Sequence, residues 1–260
     1  MIRSMMTAAT GMDAQQLYMD TISNNLSNVN TTGYKRVKLE FQDLMYQALR
    51  EPGTRNVEGA VSPVGIEVGL GVKPAATQRV FEQGSFSPTG NPMDLAIEGE
   101  GLFQITLPDG TIGYTRDGSF SLSSEGTVVT SSGFPLSPAI TIPPGAGQMQ
   151  VSADGLVSVQ IAGEKQEIGQ IELARFINPS GLRSLGGNLF TETDATGSPM
   201  IQTPGTEGAG TLRQSTVEAS NVQAVQEMVN MITAQRAYEI VSKSITVSDE
   251  MLSTANNLKR

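Results

Sequence analysis

Residues 217–255 read VEASNVQAVQEMVNMITAQRAYEIVSKSITVSDEMLSTA. Val217, Ala224, Met231, Tyr238, Ile245 and Leu252 recur every seven residues, and Ala234, Val241, Ser248 and Ala255 follow the last four of the heptad positions Met231 to Leu252 by three. Apolar positions alternating in steps of three and four mark a helix that offers one narrow seam to a partner helix. No Gly or Pro interrupts the stretch, and Ser220 or Asn221 is placed to cap its start. The spacing predicts a helix over about 217–255, roughly 60 Å long.

The opposite end carries the same pattern. Ile2, Met5, Ala9, Met12, Gln16, Met19, Ser23 and Leu26 alternate by three and four, and Leu17 and Ile22 widen the stripe. This predicts a second helix of roughly 40 Å, closed by the turn chemistry of Asn28 to Gly33. Between the helices the reading changes to β. Pro108-Asp109-Gly110, Asp117-Gly118, Glu125-Gly126 and Asp154-Gly155 each separate short apolar runs such as Leu102–Leu107 and Leu156–Ile161. Asp-Gly between such runs signals a hairpin, because both central turn positions favour positive φ. The expected class is α+β, with terminal helices pairing as a coiled coil and an all-β middle inserted between them. The expected parts are a helical segment at 1–36, an extended Gly-rich linker at 37–80, a β-rich region at 81–216 and a second helical segment at 217–260.

Composition removes most chemistry. The 260 residues contain no cysteine and no histidine, which excludes disulfides, thiolate nucleophiles, His-based triads and zinc sites built on either residue. Acid pairs such as Glu98 with Glu100, or Asp109 with Asp117, are what chance gives in an acidic segment, and solvated turn charges explain them. Gly65, Gly69 and Gly71 lack the strand–GxGxxG–helix context of a phosphate loop. No catalytic, cofactor-binding or metal-binding residue is expected, and no cofactor. Net charge is −9, concentrated between residues 37 and 216, where 10 basic residues face 19 acidic ones. Without a basic stripe nucleic acid is not expected as a partner. No apolar run approaches 18 residues, so no membrane span is expected, and the N-terminus lacks the apolar core of a cleaved signal peptide.

The two heptad ends resist explanation as ordinary core helices. About six half-buried side chains per helix contribute roughly 1–2 kcal/mol each, which falls short of what ordering roughly 30–40 residues costs. Further copies of the chain would supply the missing contacts. The expectation is a self-assembling protein whose ends order as subunits stack.

Three sets of residues carry a specific resemblance. SNNLSNVNTTGYKR at 23–36 and SNVQAVQEMVNMITAQRAYEIVSK at 220–243 flank the chain. GSFSPTGNPMDLAI at 84–97, GEGLF at 99–103 and YTRDGSF at 114–120 lie between them. Together they resemble the bacterial flagellar rod and hook family over nearly the whole length, most closely its rod branch. Val241 stands where that family has Asn, on a seam position, and Leu102 where Phe is common.

The resemblance implies a homo-oligomer built as an open helical filament. Its neighbours would be proximal rod and hook proteins, the surrounding rings and the flagellar export apparatus. It also implies a place in the basal body across the periplasm, reached without a cleaved signal peptide. The axial packing interface would comprise Ile2, Met5, Met12, Met19, Leu26, Val217, Ala224, Met231, Tyr238, Val241, Ile245 and Leu252. The signature positions would be Asn24, Asn25, Asn28, Asn30, Thr31, Gly33, Tyr34, Lys35, Asn221, Gln235, Arg236, Ser242 and Lys243. The tract with Pro52, Gly53, Pro63, Gly65, Gly69 and Gly71 resembles the insertion that distinguishes a straight rod from a bending hook. A proximal rod or hook subunit, a secreted β-rich enzyme acting on polysaccharide, and a trimeric stalked adhesin are the alternatives.

Overall fold

The computed structural model describes residues 2–53, 63–161, 163–206 and 208–258. Helix α1 spans Ile2–Ser27 and helix α2 spans Ala224–Asn257. The chain divides into two compact units. One comprises Met1–Leu26, Val37–Gln78 and Gln223–Arg260; the other comprises Ser27–Arg36 and Arg79–Val222.

The first unit holds both helices and two strand pairs. Strand Val37–Asp43 pairs with Val72–Arg79. Tyr46–Arg50 pairs antiparallel with Ile66–Gly69, Tyr46 opposite Gly69. The segment expected as an extended linker is therefore a β ribbon where it is described; residues 54–62 lie outside the described residues.

Helix α1 binds this ribbon at two points. Asn25 donates from Nδ2 to the Val37 carbonyl at 2.9 Å and accepts the Val37 N–H at 3.0 Å, so its amide stands in for a strand neighbour. About four turns toward the N-terminus, the Thr10 hydroxyl oxygen accepts the Val72 N–H at 3.4 Å. Gly71 passes Thr10 with φ at +122°, where a side chain would overlap the Thr10 hydroxyl, so only glycine admits the approach. Tyr18 meets Phe41 edge-on, with ring centroids 6.0 Å apart. Helix α2 touches α1 where Gly11 leaves room for Val241, whose methyl would lie 3.6 Å from a Cβ at that position.

The second unit is β. Its largest sheet has six strands in the order Arg183–Gly186, Leu189–Thr191, Ile112–Thr115, Leu102–Thr106, Leu173–Arg175, Met200–Gln202. Alternation along the central strands sends neighbouring residues to opposite faces. Phe103 and Leu173 enter a core with Leu95, Ile97, Phe120, Val157 and Leu212, while Leu102 and Ala174 enter another with Tyr114, Phe176 and Phe190. Each core carries an edge-to-face aromatic pair: Phe103–Phe120 at 5.1 Å and Tyr114–Phe176 at 4.8 Å. Such pairs add about 0.5–1.5 kcal/mol beyond the area they bury.

Three of the four anticipated turns join paired strands. Gly110, Gly126 and Gly155 all have φ of +81° and connect antiparallel neighbours. Asp117-Gly118 differs. Its flanking strands do not pair with each other; instead the Gly118 carbonyl accepts the Leu95 N–H at 3.0 Å, and the missing side chain lets the Leu95 carbonyl pass.

The start of the C-terminal helix needs correction. Val217 lies in strand Thr216–Glu218, opposite Ser87 of strand Phe86–Pro88, and not on a helical seam. The heptad spacing from Val217 to Ala224 is fortuitous, since a β-branched Thr-Val pair enters the sheet before the helix begins. Neither Ser220 nor Asn221 caps α2: Gln223 occupies that position and makes no side-chain cap. The Asn221 side chain is engaged elsewhere.

Candidate functional site

Along α2 most of the seam positions are half-buried. Ala234 is buried, and Ala224, Met231, Tyr238, Val241, Ile245, Ser248 and Leu252 are half-buried; Ala255 is exposed. The opposite side, about 170° round at 100° per residue, is also apolar. Val225, Val229, Ile232, Ile240, Val247, Met251 and Leu258 are exposed there, Ile240 at 70% and Leu258 at 83%.

Helix α1 divides its faces differently. Its buried residues are Ala14, Ile22 and Asn25; Ile22 lies at the edge of the predicted stripe and the other two lie outside it. Of that seam, Met5, Met12, Met19 and Leu26 are half-buried, and Ile2, Ala9, Gln16 and Ser23 are exposed. The ribbon adds Met45, Tyr46, Leu49 and Ile66, each at least 48% exposed. Arg3, Thr7, Ala8, Val68, Ile240 and Val241 line a groove of about 680 Å³ among α1, α2 and the ribbon.

In the tract assigned to the insertion, Pro52, Gly53 and Pro63 are exposed. Gly65 faces the Arg50 carbonyl, which a Cβ would meet at 2.7 Å. Gly69 lies under the Tyr46 ring, 3.3 Å from where a Cβ would stand, so Gly65 and Gly69 serve close approaches within the ribbon, whereas Gly71 serves the approach to Thr10.

The signature positions split into two groups. Gln235, Arg236 and Lys243 are exposed and Ser242 is half-buried along α2; Asn24 and Asn30 are exposed. Asn25 holds the ribbon, as described. The others converge in the β unit. Asn28 accepts the Thr31 hydroxyl at 3.1 Å, shaping the turn that follows α1. Gly33, at φ +66°, donates its N–H to the Glu218 carbonyl at 2.8 Å. Tyr34 is buried, with the Arg79 guanidinium 5.8 Å from its ring centroid. Asn221 accepts the Arg36 N–H at 2.7 Å and donates to the carbonyls of Val80 at 2.9 Å and Glu82 at 3.1 Å.

At the centre is a buried carboxylate clasped by two cations. Lys35 Nζ lies 2.6 Å from Glu218 Oε1 and Arg116 Nε 2.5 Å from Glu218 Oε2, and the Glu218 side chain is 0% exposed. The Gly84 N–H donates to the same carboxylate at 2.7 Å. Arg116 spends its remaining donors on the carbonyls of Ile97, Gly99 and Gly101, and Lys35 donates to the Glu82 carbonyl at 2.7 Å. Burial alone would raise the Glu218 carboxyl, but the charges of Arg116 and then Lys35 outweigh it and hold it below its ordinary value. Burial likewise draws the Lys35 ammonium down, against the pull of Glu218. One carboxylate thus ties together three passages of chain, at 33–36, 82–84 and 116–118.

Sequence reasoning missed Glu218, Arg116, Arg79 and Glu82. The first two stood in plain view, a lone acid after Thr-Val and a lone base in YTRDGSF, but their pairing spans 102 residues.

The acids considered as catalytic pairs serve local structure. Asp109 accepts the Thr111 N–H at 3.1 Å and hydroxyl at 2.6 Å. Asp117 accepts from the Thr32 hydroxyl and the Ser119 N–H, and Glu100 pairs with Arg175 at 2.7 Å. Among the described residues no three His, Cys, Asp or Glu side chains cluster as a metal site, and no helix is long and apolar enough to cross a membrane.

The chain is similar in sequence to known proteins. Residues 5–35 match the family described as Flagella basal body rod protein, residues 96–159 the Flagellar hook protein FlgE/F/G D1 domain, and residues 213–258 the Flagellar basal body rod FlgEFG protein C-terminal. The chain is 53% identical to the flagellar basal-body rod protein FlgG of Borreliella burgdorferi over 264 residues, covering all of both. It is 46% identical to the protein of that name from Caulobacter vibrioides, over 99% of this chain and all of the relative. The likeness to the Bacillus subtilis protein of that name is 37%, over all of both chains.

Proposed function

The chain belongs to the flagellar basal-body rod protein family, and from that membership we propose that it is the structural subunit of the distal rod. In this reading it polymerises into a straight hollow helical tube that crosses the periplasm, transmits torque from motor to hook and conducts exported subunits. The observation that carries the proposal is the double-sided α2. A helix with large apolar side chains on opposite faces belongs in the interior of an assembly. Its own chain covers one face. Neighbouring copies cover the other, where Val225, Ile232, Ile240 and Met251 stand exposed.

A contact between unlike faces of successive copies generates an open helical filament when its rotation does not close a ring. In that filament α1 and α2 pair as a coiled coil forming the axial core, and the β unit forms the outer layer, with proximal rod, hook and ring proteins as neighbours and the export apparatus as its route. The ribbon around Pro52, Gly65 and Gly71 locks adjacent copies against sliding, which a bending joint could not tolerate. The clasp around Glu218 fixes the chain passages that enter and leave the β unit.

Electron microscopy of the concentrated full chain tests the proposal. Straight hollow tubes are the expected product. Curved tubes would move the reading to a hook subunit, and monodisperse globules or closed threefold bundles would overturn it.

A further inference from the structure

The chain has 12 methionines and no cysteine, histidine or tryptophan, so thioether sulfur is its principal oxidisable group. These sulfurs are not spread evenly. Met5, Met6, Met12 and Met19 lie on α1, Met45 in the ribbon, and Met228, Met231 and Met251 on α2. Four of them are well exposed: Met6 at 66%, Met45 at 83%, Met228 at 52% and Met251 at 55%. Each stands among exposed apolar neighbours: Ile2 near Met6 in sequence, Tyr46 beside Met45, Val225 and Val229 around Met228, and Val247 beside Met251. In the β unit Met149 is buried at 5% and Met93 is half-buried; Met200, at 37%, is the exposed one.

We propose that Met6, Met45, Met228 and Met251 are oxidation sites through which peroxide-class oxidants arrest assembly of the free subunit. The inference rests on the polymerising role proposed above. A lone pair of the thioether sulfur attacks one peroxide oxygen; the S–O bond forms as the O–O bond breaks, and the other oxygen leaves as water. Sulfur is oxidised by two electrons and peroxide is reduced. A flexible apolar side chain becomes a strong hydrogen-bond acceptor. On a face that a neighbouring copy must cover, that acceptor is buried without a donor, which is unfavourable. Inside a finished polymer the same sulfurs are shielded, so the device acts on subunits before incorporation. The β cores hold only one buried methionine and remain folded.

The test oxidises the purified full chain with hydrogen peroxide, maps sulfoxides by peptide mass spectrometry and measures polymer yield by sedimentation and microscopy. Sulfoxide at the four sites is expected to lower the yield about ten-fold or more. Methionine sulfoxide reductases with dithiothreitol should restore it, the dithiol becoming a disulfide as the sulfoxide oxygen leaves as water. A variant carrying Met6→Leu, Met45→Leu, Met228→Leu and Met251→Leu keeps side-chain volume and should polymerise with or without peroxide, whereas Met200→Leu alone should give no protection. Undiminished polymerisation of chain oxidised at the four sites would overturn the inference, as would arrest of the four-leucine variant by peroxide. Should that variant not assemble at all, reductase rescue of the natural chain decides. Failure of the untreated chain to polymerise would instead contradict the proposed function itself.

Discussion

Glu218 offers the sharpest expectation at the level of single residues. Glu218→Gln leaves Lys35 and Arg116 buried without their counter-charge, and removing one partner of a buried pair costs about 3–5 kcal/mol. Its pH dependence has a definite sign. The folded carboxyl titrates below its ordinary value of 4.5, so the unfolded chain binds the proton first as pH falls. The stabilisation is complete above about 4.5 and is lost as pH drops through the lower folded value. Urea denaturation across pH 2–6, followed by tyrosine fluorescence, should show that loss in the natural chain, and the Gln variant should lack that component. Gly33 gives a second expectation. Its φ is +66° and a Cβ would stand 2.6 Å from the Asp117 nitrogen, so Gly33→Ala should destabilise the β unit by about 1–3 kcal/mol, read from the same denaturation curves.

Among the elements, the extent of α1 was legible in the sequence, and so was α2 apart from its start. Period places Tyr238, Val241, Ile245 and Leu252 in one uninterrupted register, and all four are half-buried. Period could not give the second apolar face, since an exposed Ile240 carries no periodic signal distinguishing a partner's surface from solvent. Strand Thr216–Glu218 was hidden for a different reason: its partner Phe86–Pro88 lies about 130 residues away, and local pattern holds no information about so distant a pairing. Asp117-Gly118 shows the same limit, a local turn signal overridden by the close approach of Leu95. On α1 the ribbon is engaged through Asn25 and Thr10, polar positions that a hydrophobic period cannot mark. The two faces of α2 predict two mutant classes. Ile240→Asp should leave the circular dichroism of the monomer unchanged while abolishing polymer in a sedimentation assay. Tyr238→Asp, on the inward seam, should block polymer and also lower α2 helicity, because it places an unpaired charge against its own chain.

For the whole molecule, division into a helical and a β unit separates two sources of stability. The β unit has two packed cores and a satisfied ionic clasp, so it should fold alone. The helical unit exposes apolar side chains on α1, α2 and the ribbon, which in the proposed polymer other copies would cover. Deleting 53–70, which removes strand Ile66–Gly69, should still permit polymerisation but give curved tubes in micrographs; unchanged straightness would remove the ribbon from the account of rigidity. The dependence of the helices on neighbours is the claim on which the rest turns. Amide hydrogen exchange of residues 224–257, compared between dilute monomer and polymer, measures it directly. Exchange in the monomer should be fast along α2 while the β unit stays protected, and polymerisation should slow it by orders of magnitude. An α2 already as protected in dilute monomer as the β cores, in a chain that stays monomeric at every concentration, would contradict it.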